Sequence, residues 1–396
     1  MSKKWFKLLA VLLVLVAFVF VGCQQAGTAK KVKVKVKEWE VPFLNCLTGP
    51  IASIGEFLQW GAERAAKEIN EAGGISGIPV KVTGVDTALD PQKGVVEMGK
   101  IVQTALVALG PVPEPVIMAA APIAVENEMM TMTATTSLEY AEKFFPWSIS
   151  WFPKTEERLP PLVSAWAELN PEVKSVVQFV GNYGPWPGMV AAHKVGLESS
   201  GVKALNDVEV PQDAVTFGPL VVKALNQKPD GIIIACWPEK AAKLVQELKS
   251  RGWKDMKKVL LFSSADDAAL YTTGGAALNG TIIYNFVNVD ASNPRWDAFK
   301  VAYAADHNGM QPHSLSTNYY DAVYMIKAAM EATGVTGDPK KLKEERKKIA
   351  EYMANMKGFQ GLLFNWDMSG GVPTNKPTYL FEIQDGRKSM VKEIRP

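Results

Sequence analysis

The 396-residue sequence predicts an α/β protein with two lobes, each a mostly parallel sheet with helices on both faces, and a cleft between them. Short runs rich in β-branched residues alternate with amphipathic helical patterns, which is typical of parallel sheets. The alternation occurs in two successive series, which predicts two sheets. Because no Gly/Ser-rich linker separates the series, we expect several short connections and a cleft beyond the carboxyl ends of the strands.

The strand candidates are short and rich in Val and Ile. Those of the first series cover residues 39–47, 79–85, 105–109 and 129–134. Those of the second series cover residues 175–180, 208–210, 231–236, 258–264 and 281–287.

Helical patterns fill the intervals between these runs. One apolar stripe at helical spacing consists of Leu58, Ala62, Ala65 and Ile69. Gly73 and Gly74 are expected to end that helix, since glycine permits left-handed backbone angles. The next helix is predicted to start with Asp90 as N-cap and Pro91 as its first residue.

The N-terminus has the pattern of a secretory signal peptide. Three lysines precede an uncharged apolar run from Leu8 to Val21, which is shorter than the about 20 residues of a membrane span. Gly22 and Cys23 follow, and this boundary resembles the lipobox of bacterial lipoproteins. The resemblance implies a signal peptide over residues 1–22 and an acylated Cys23. An ordinary signal peptide with a chance cysteine is the alternative.

Residues 23–37 are predicted to be a lipidated tether. Five lysines crowd the segment 30–37, which fits a position near an anionic membrane surface. Its Lys/Val alternation also fits a solvated edge strand. Eight of the 43 basic residues precede Glu38, so the body holds 35 basic against 41 acidic residues, a net charge of −6. A body without a basic stripe argues against a nucleic-acid partner.

The sequence offers little for catalysis or metal binding. Its three histidines have no metal-ligand spacing, and no nucleophile-elbow, phosphate-loop or dinucleotide-binding motif is found. We expect His307 and His313 to be solvated loop residues, and His193 to be at the surface or partly packed. Cys46 and Cys236 lie in apolar runs and are expected to be buried free thiols. We therefore expect no enzyme activity and no cofactor.

Residues 47–102 resemble the leucine/isoleucine/valine-binding proteins, the extracytoplasmic ligand-binding components of ABC importers with the two-lobed type I periplasmic binding fold. The shared elements are T-G-P, a glycine before a helix, I-N-E-A-G-G-I-S-G, and then D and D-P, in this order. Further matching stretches continue to residue 371. The resemblance implies one lobe over 38–153 and 287–357, and a second over 154–286 and 358–396.

The resemblance also implies the partners. These are a small-molecule ligand, ABC permease subunits and, through the lipid anchor, a membrane; the chain is expected to be a monomer outside the cytoplasm. The leading hypothesis for the ligand is a branched-chain or other hydrophobic amino acid. An amide, a urea or an aromatic acid is the alternative. A sensory receptor that controls a signalling partner is a hypothesis of another class, because fold alone does not decide function.

The family's pocket transfers to this sequence position by position. The resemblance implies that Thr135 and Thr136 bind the carboxylate and ammonium of an amino acid, or else cap the following helix. Tyr183 and Trp237 match the pocket's aromatic residues, although Trp237 also fits interface packing. Asp266 matches the acid that binds the ammonium group, or it is a helix cap. A shift of one residue in the alignment would make Asp267 this acid. Ile54 stands where the family often has an aromatic residue.

Glu114 is the departure that matters. It stands in "LGPVPEPV", where the family pattern has a Ser or Thr that binds the ligand carboxylate. Two like charges about 4 Å apart repel by roughly 4 kcal/mol at an effective dielectric of 20, which outweighs two or three neutral hydrogen bonds of about 1 kcal/mol. Either Glu114 points away from the ligand, or the ligand has no carboxylate there.

Overall fold

The computed structural model describes residues 34–49, 51–135, 138–182, 186–266, 268–288 and 290–396. Residues Lys35–Pro396 form one structural unit by their contacts. The predicted signal peptide, Cys23 and the tether up to residue 33 lie outside the described residues. No helix in the described ranges is both long and apolar enough to cross a membrane.

The first sheet comes from the first series of predicted strands. Its strands are β1 (Trp39–Asn45), β2 (Val80–Asp86), β3 (Val107–Leu109), β4 (Met130–Thr133) and β5 (Ser148–Ser150). Their order is β2-β1-β3-β4-β5, and every adjacent pair is parallel. The sequence prediction missed β5, whose sequence Ser-Ile-Ser has a single β-branched residue.

The second sheet is larger and mostly parallel. Its strands are β6 (Ser175–Gly181), β7 (Lys203–Ala204), β8 (Val208–Val210), β9 (Gly231–Ala235), β10 (Val259–Leu261), β11 (Ile282–Asn285), β14 (Thr378–Gln384) and β15 (Arg387–Ile394). The order is β15-β14-β11-β10-β9-β6-β7, with β8 also paired to β6. Only β14 and β15 run antiparallel to their neighbours. A separate hairpin joins β12 (Phe359–Gln360) and β13 (Asn365–Trp366).

Twelve α-helices lie in the described part of the chain. They are α1 (Ala52–Glu71), α2 (Pro91–Ile101), α3 (Glu114–Glu126), α4 (Leu138–Lys143), α5 (Thr155–Leu169), α6 (Trp186–Ser199), α7 (Gly218–Leu225), α8 (Pro238–Ser250), α9 (Ala268–Gly274), α10 (Pro294–Asp306), α11 (Ser314–Thr333) and α12 (Leu342–Ala354).

The second sheet is covered by helices on both faces, as predicted. Side chains of one strand alternate between faces. Ile232 and Ile234 of β9 join a core with residues of α7, α8 and α9. Between them in sequence, Ile233 joins a core with residues of α5 and α6 on the other face.

The first sheet also packs on both faces. Leu44 of β1 lies in a core with Met98 of α2 and Ala120 of α3. The preceding residue, Phe43, stacks on Tyr319 of α11, with the ring centroids 4.5 Å apart. Neighbouring residues of one strand therefore meet helices on opposite sides, which requires a layer of helices on each face.

Helix α1 has the predicted stripe and stop. Its four stripe residues are all buried, and both Gly73 and Gly74 have positive φ angles. At the start of α2, the Asp90 side chain accepts from the backbone N–H groups of Gln92 and Lys93, and Pro91 is the first helical residue. The predicted cap of α2 is therefore confirmed.

Three segments connect the two groups of elements, and we call them the first connection (151–154), the second connection (286–293) and the third connection (355–377). Helices α10 to α12 lie between the second and third connections in the chain. Helix α11 packs closely against α1, because a side chain at Gly61 of α1 would meet the backbone of Ser316 of α11. The division into lobes at 153/154, 286/287 and 357/358 falls inside these connections and stays a prediction.

The cysteine prediction is confirmed and the predictions for His307 and His193 are wrong. Cys46 and Cys236 are free and buried, and burial raises the pKa of each to about 12. His307 is buried and stacks on Tyr303, with ring centroids 3.8 Å apart. It is the C-cap residue of α10 and does not lie in a solvated loop. His193 is fully buried, and desolvation lowers its pKa to about 3.

Candidate functional site

The predicted site residues that the structure describes lie beyond the carboxyl ends of the parallel strands, in loops or in the first turn of the helix that follows. Ile54, Glu114 and Thr135 follow strands of the first sheet, and Trp237 and Asp266 follow strands of the second. In open α/β sheets, ligands bind at this edge. Thr136, Tyr183 and Asp267 lie outside the described residues, so their roles stay predictions.

The T-G-P motif and the motif aspartate stabilise one loop together. Asp86, at the end of β2, accepts from the backbone N–H of Leu47 at 2.8 Å and from Oγ1 of Thr48 at 2.6 Å. Burial alone would raise the pKa of Asp86, but these bonds and the one from Ala88 N outweigh it and lower the pKa. The loop after β1 is thus fixed before Ile54, which is half-buried in the first turn of α1.

Glu114 and Thr135 meet, and we call these two residues the first wall. Glu114 begins α3 and is half-buried, and Oγ1 of Thr135 donates a hydrogen bond to its carboxylate. The neighbouring hydroxyls also point at protein acceptors: Thr133 donates to Pro111 O, and Ser150 donates to Thr135 O. The carboxylate of Glu114 therefore adds an acceptor to a loop whose hydroxyl donors are already bonded within the protein.

Asp266, Trp186 and Trp237 form what we call the second wall. Trp237 immediately precedes α8 and is half-buried, and its ring lies edge-on to that of Trp186, with 4.7 Å between the centroids. Trp186 is fully buried at the start of α6. Trp186 was not among the predicted site residues, although it stands in the matched stretch "GNYGPWPG". Both the pocket role and the packing role of Trp237 stay open predictions.

Asp266 is buried in a set of donors from the protein itself. Its carboxylate accepts from Oη of Tyr271 at 2.7 Å, from Nδ2 of Asn285 at 2.6 Å and from the ammonium of Lys388. Burial alone would raise the pKa of Asp266, but the charge and hydrogen bond of Lys388, followed by Tyr271 and the charge of His313, lower it. The resemblance implied a donor from the ligand, but the protein itself supplies three donors. Binding of a ligand ammonium by Asp266 stays a prediction.

Lys388 gives no local signal in the sequence. It lies on β15 and reaches Asp266 from 122 positions further along the chain. Only the hairpin that carries it was recognisable, from Asp385 and Gly386, which both have positive φ angles. An Asp-Gly pair between alternating apolar runs is a strong hairpin signal.

A surface depression of about 350 Å³ lies elsewhere, beside α12. Its lining includes Arg346, whose guanidinium donates to the carbonyls of Val102, Ala105 and Asn127. These carbonyls follow α2 and α3, at the end of the first sheet opposite to its carboxyl edge. Because Arg346 already caps these helix ends, we place the candidate site at the two walls.

Comparison with known proteins identifies the family of this chain. The family model described as "Periplasmic binding protein" matches residues 38–388, which contain both walls. The Leu/Ile/Val-binding protein BraC3 of Rhizobium johnstonii is 25% identical over 296 residues, which cover 74% of this chain and 78% of that protein. The resemblance inferred from the motifs is confirmed.

Two solved structures have the same fold. The branched-chain amino acid transporter substrate binding protein LivJ from Streptococcus pneumoniae, in complex with isoleucine, aligns with a TM-score of 0.75 and 19% identity over 91% of this chain and 100% of that chain. A solute binding protein from R. palustris, in complex with benzoate, aligns with a TM-score of 0.76 and 19% identity over 91% of this chain and 97% of that chain. These matches confirm the predicted fold class.

Proposed function

Because this chain belongs to the family of periplasmic binding proteins, we propose that it is the solute-binding component of an ABC importer. It holds a small solute between the two walls and delivers the solute to membrane permease subunits. The observation that carries this proposal is the family match, which spans both sheets. The family places the chain outside the cytoplasm, and its members bind solutes.

The leading solute class is a branched-chain or other hydrophobic amino acid. The name of the Rhizobium johnstonii relative and the isoleucine in the pneumococcal structure support this class. The half-buried ring of Trp237 also supports it, since aromatic rings offer apolar contact area.

A solute with amide-type donors is the second candidate, and Glu114 favours it. An ionised carboxylate only accepts hydrogen bonds. Glu114 accepts a hydrogen bond from Thr135 in the first wall. A solute carboxylate placed against this wall would be repelled by Glu114. An amide or a urea would instead donate to Glu114. The benzoate in the R. palustris structure supports a wider range of solutes for this fold.

Identification of the solute tests the proposal directly. The chain is purified without denaturation, then denatured, and the released small molecules are identified by mass spectrometry. Calorimetry with L-leucine, L-isoleucine, benzoate and acetamide follows. Binding of one compound without its conversion is the expected result. Conversion of a bound compound would replace transport with catalysis, and copurification with a signalling protein instead of permease subunits would favour a sensory receptor.

We also propose that a lipid on Cys23 anchors the chain to a membrane as a monomer. The support is the lysine-rich start, the short apolar run and the Gly22–Cys23 boundary. Several acyl chains give stable anchoring, whereas one alone does not. Cys23→Ser should move the protein from the membrane fraction to the soluble fraction. A processed Cys23→Ser variant that stays with the membrane contradicts the anchor.

A further inference from the structure

Lys376 is a fully buried lysine in the third connection. Its ammonium donates to the carbonyl of Trp151 at 3.0 Å and to Oδ1 of Asn318 at 3.3 Å. Trp151 begins the first connection, and Asn318 lies on α11. One side chain thus bonds two of the three connections to each other and to a helix packed on the first sheet.

Aromatic rings surround the same ammonium group. Its nitrogen lies 4.7 Å from the ring centroid of Trp366, 5.3 Å from that of Phe364 and 5.5 Å from that of Phe152. The Phe152 ring in turn packs against Phe286 of the second connection, with 5.0 Å between centroids. Aromatic faces attract a cation, most strongly where water is excluded. Lys376 therefore reaches all three connections, directly or through one ring.

Helix α11 holds one ring of this set, that of Trp366. Asp321 of α11 accepts from the backbone N–H of Leu362 and from Nε1 of Trp366, both at 2.8 Å. A side chain at Gly361 would clash with both Asp321 and Trp366. The Trp366 ring over Lys376 is thus held by the same helix that carries Asn318, and Phe364 packs against Trp366, with 4.1 Å between the centroids.

The charge that acts on the ammonium of Lys376 comes from Asp321 on α11, and Arg295 on α10 acts in turn on Asp321. Two further charged residues on adjoining segments bond to the backbone: Arg158 on α5 donates to Thr374 O, and Asp367 after β13 accepts from Gly358 N. Desolvation lowers the pKa of Lys376 to about 7, against the charge of Asp321. Desolvation raises the pKa of Asp321 to about 6, against the bonds from Trp366 and Leu362 and the charges of Arg295 and Lys376.

We propose that Lys376 is a positioning residue for the cleft, whose ammonium form ties the three connections together and restricts the separation of the two lobes. The amine form loosens them, because both the attraction to the rings and the charge-assisted bonds to Trp151 and Asn318 depend on the charge. The inference rests on the proposed function in one respect only: a change in lobe separation would release or capture solute. The lobe separation itself is measurable without a solute.

Spin labels on the two lobes test this inference. Val96 on α2 and Val222 on α7 are exposed and serve as labelling sites after substitution by cysteine in a Cys23→Ser background, while buried Cys46 and Cys236 stay unlabelled. Distance distributions are recorded by pulsed electron resonance at pH 5.5, 7 and 8.5 on the dialysed full chain. We expect the distribution of distances between the two labels to broaden as the pH rises from 6 to 8.

The Lys376→Met variant should give the broad distribution at every pH. Lys343→Met, at an exposed lysine of α12 that pairs with Glu128, is the matched control and should follow the unsubstituted protein. A distribution that does not change with pH in the unsubstituted protein, or that changes equally in Lys376→Met, overturns the inference.

A second measurement decides the matter if Lys376→Met fails to fold. In unsubstituted protein with ¹³C-labelled lysine, one ε-carbon signal should titrate with a midpoint near pH 7. Titration of all lysine signals above pH 9 overturns the inference. Failure of every solute to bind would instead reject the proposed function and leave the titration and the distance change unaffected.

Discussion

The two walls each place an acid beyond the parallel strands, but they hold it differently. Glu114 of the first wall is half-buried and accepts from the neutral hydroxyl of Thr135. Asp266 of the second wall is buried and accepts from a phenol, an amide and the ammonium of Lys388. A carboxylate has about four acceptor positions, and at least three are filled in Asp266.

This difference gives the two acids different roles. We call Asp266 a framework acid, because it bonds structural elements to one another, whereas we expect Glu114 to meet the solute. The donors of Asp266 come from β11, from β15 and from Tyr271 of α9, so its charge holds these elements together. Glu114 is more exposed than Asp266 and begins a single helix, α3. We therefore expect substitutions in the second wall to change stability first, and substitutions in the first wall to change solute affinity first.

The largest effect is expected for Lys388→Met. The variant leaves the buried carboxylate of Asp266 without its ammonium, and breaking a buried ion pair typically costs about 3–5 kcal/mol. Lys392→Met on the same strand is the matched control, because Lys392 pairs with the exposed Glu168, and such pairs contribute about 0–1 kcal/mol. Urea unfolding of the two variants measures both values. Equal, small losses would show that Asp266 is not a framework acid.

The next effect concerns solute affinity at Glu114. If the solute carries a carboxylate at the first wall, Glu114→Ser removes repulsion and should improve binding at least tenfold, about 1.4 kcal/mol. If the solute presents an amide or amine there, the same substitution should weaken binding by a similar factor, since hydrogen bonds to charged groups contribute about 1.5–3 kcal/mol. Calorimetry with the copurified solute distinguishes the two. Unchanged affinity would place Glu114 outside the binding site.

The cost of Lys388→Met should also depend on pH. In the unsubstituted protein the pKa of Asp266 is lowered in the folded state, so its stabilising contribution is present above about pH 4 and is lost as the pH falls through the folded pKa. Without Lys388, the desolvation that raises the pKa of Asp266 is no longer offset by a nearby positive charge. The ionised carboxylate of Asp266 then destabilises the fold. Both effects vanish when the carboxyl is protonated.

The difference in unfolding free energy between the two proteins should therefore narrow as the pH falls from 7 to 4. Urea unfolding at each pH measures it, with Lys392→Met as reference. A difference that stays constant over this range would mean that Lys388 stabilises by packing rather than by charge.

Local patterns predicted much of the fold. The stripe of α1, the Asp90 cap of α2 and the strands of both series depend on residues near each other in sequence, so the pattern contains the information. The hairpin of β14 and β15 was missed although Asp385 and Gly386 indicate it. His307 was misjudged because its burial depends on Tyr303 and Glu56, and Glu56 is 251 positions away.

The site was less predictable for the same physical reason. Motifs identified Thr135 and Glu114 as neighbours of a cleft, and the structure joins them. The balance of charge at Asp266 depends on Lys388, and the cage of Lys376 depends on rings from two connections. Such pairings follow from the three-dimensional path of the chain and leave no spacing signal in the sequence.

The smallest effect tests whether Thr135 acts through Glu114. Thr135→Val and Glu114→Gln, alone and combined, form a double-mutant cycle for unfolding free energy. We expect a coupling of about 1 kcal/mol, because a hydrogen bond to a carboxylate contributes more than a neutral one but Glu114 is half-exposed to water. As a control, Thr333→Val removes a hydroxyl that bonds Ala329 O at the far end of α11, and it should be additive with Glu114→Gln within about 0.5 kcal/mol. Additivity of the Thr135 pair as well would show that the hydroxyl does not hold the carboxylate, and Thr135 would then be available to bind the solute directly.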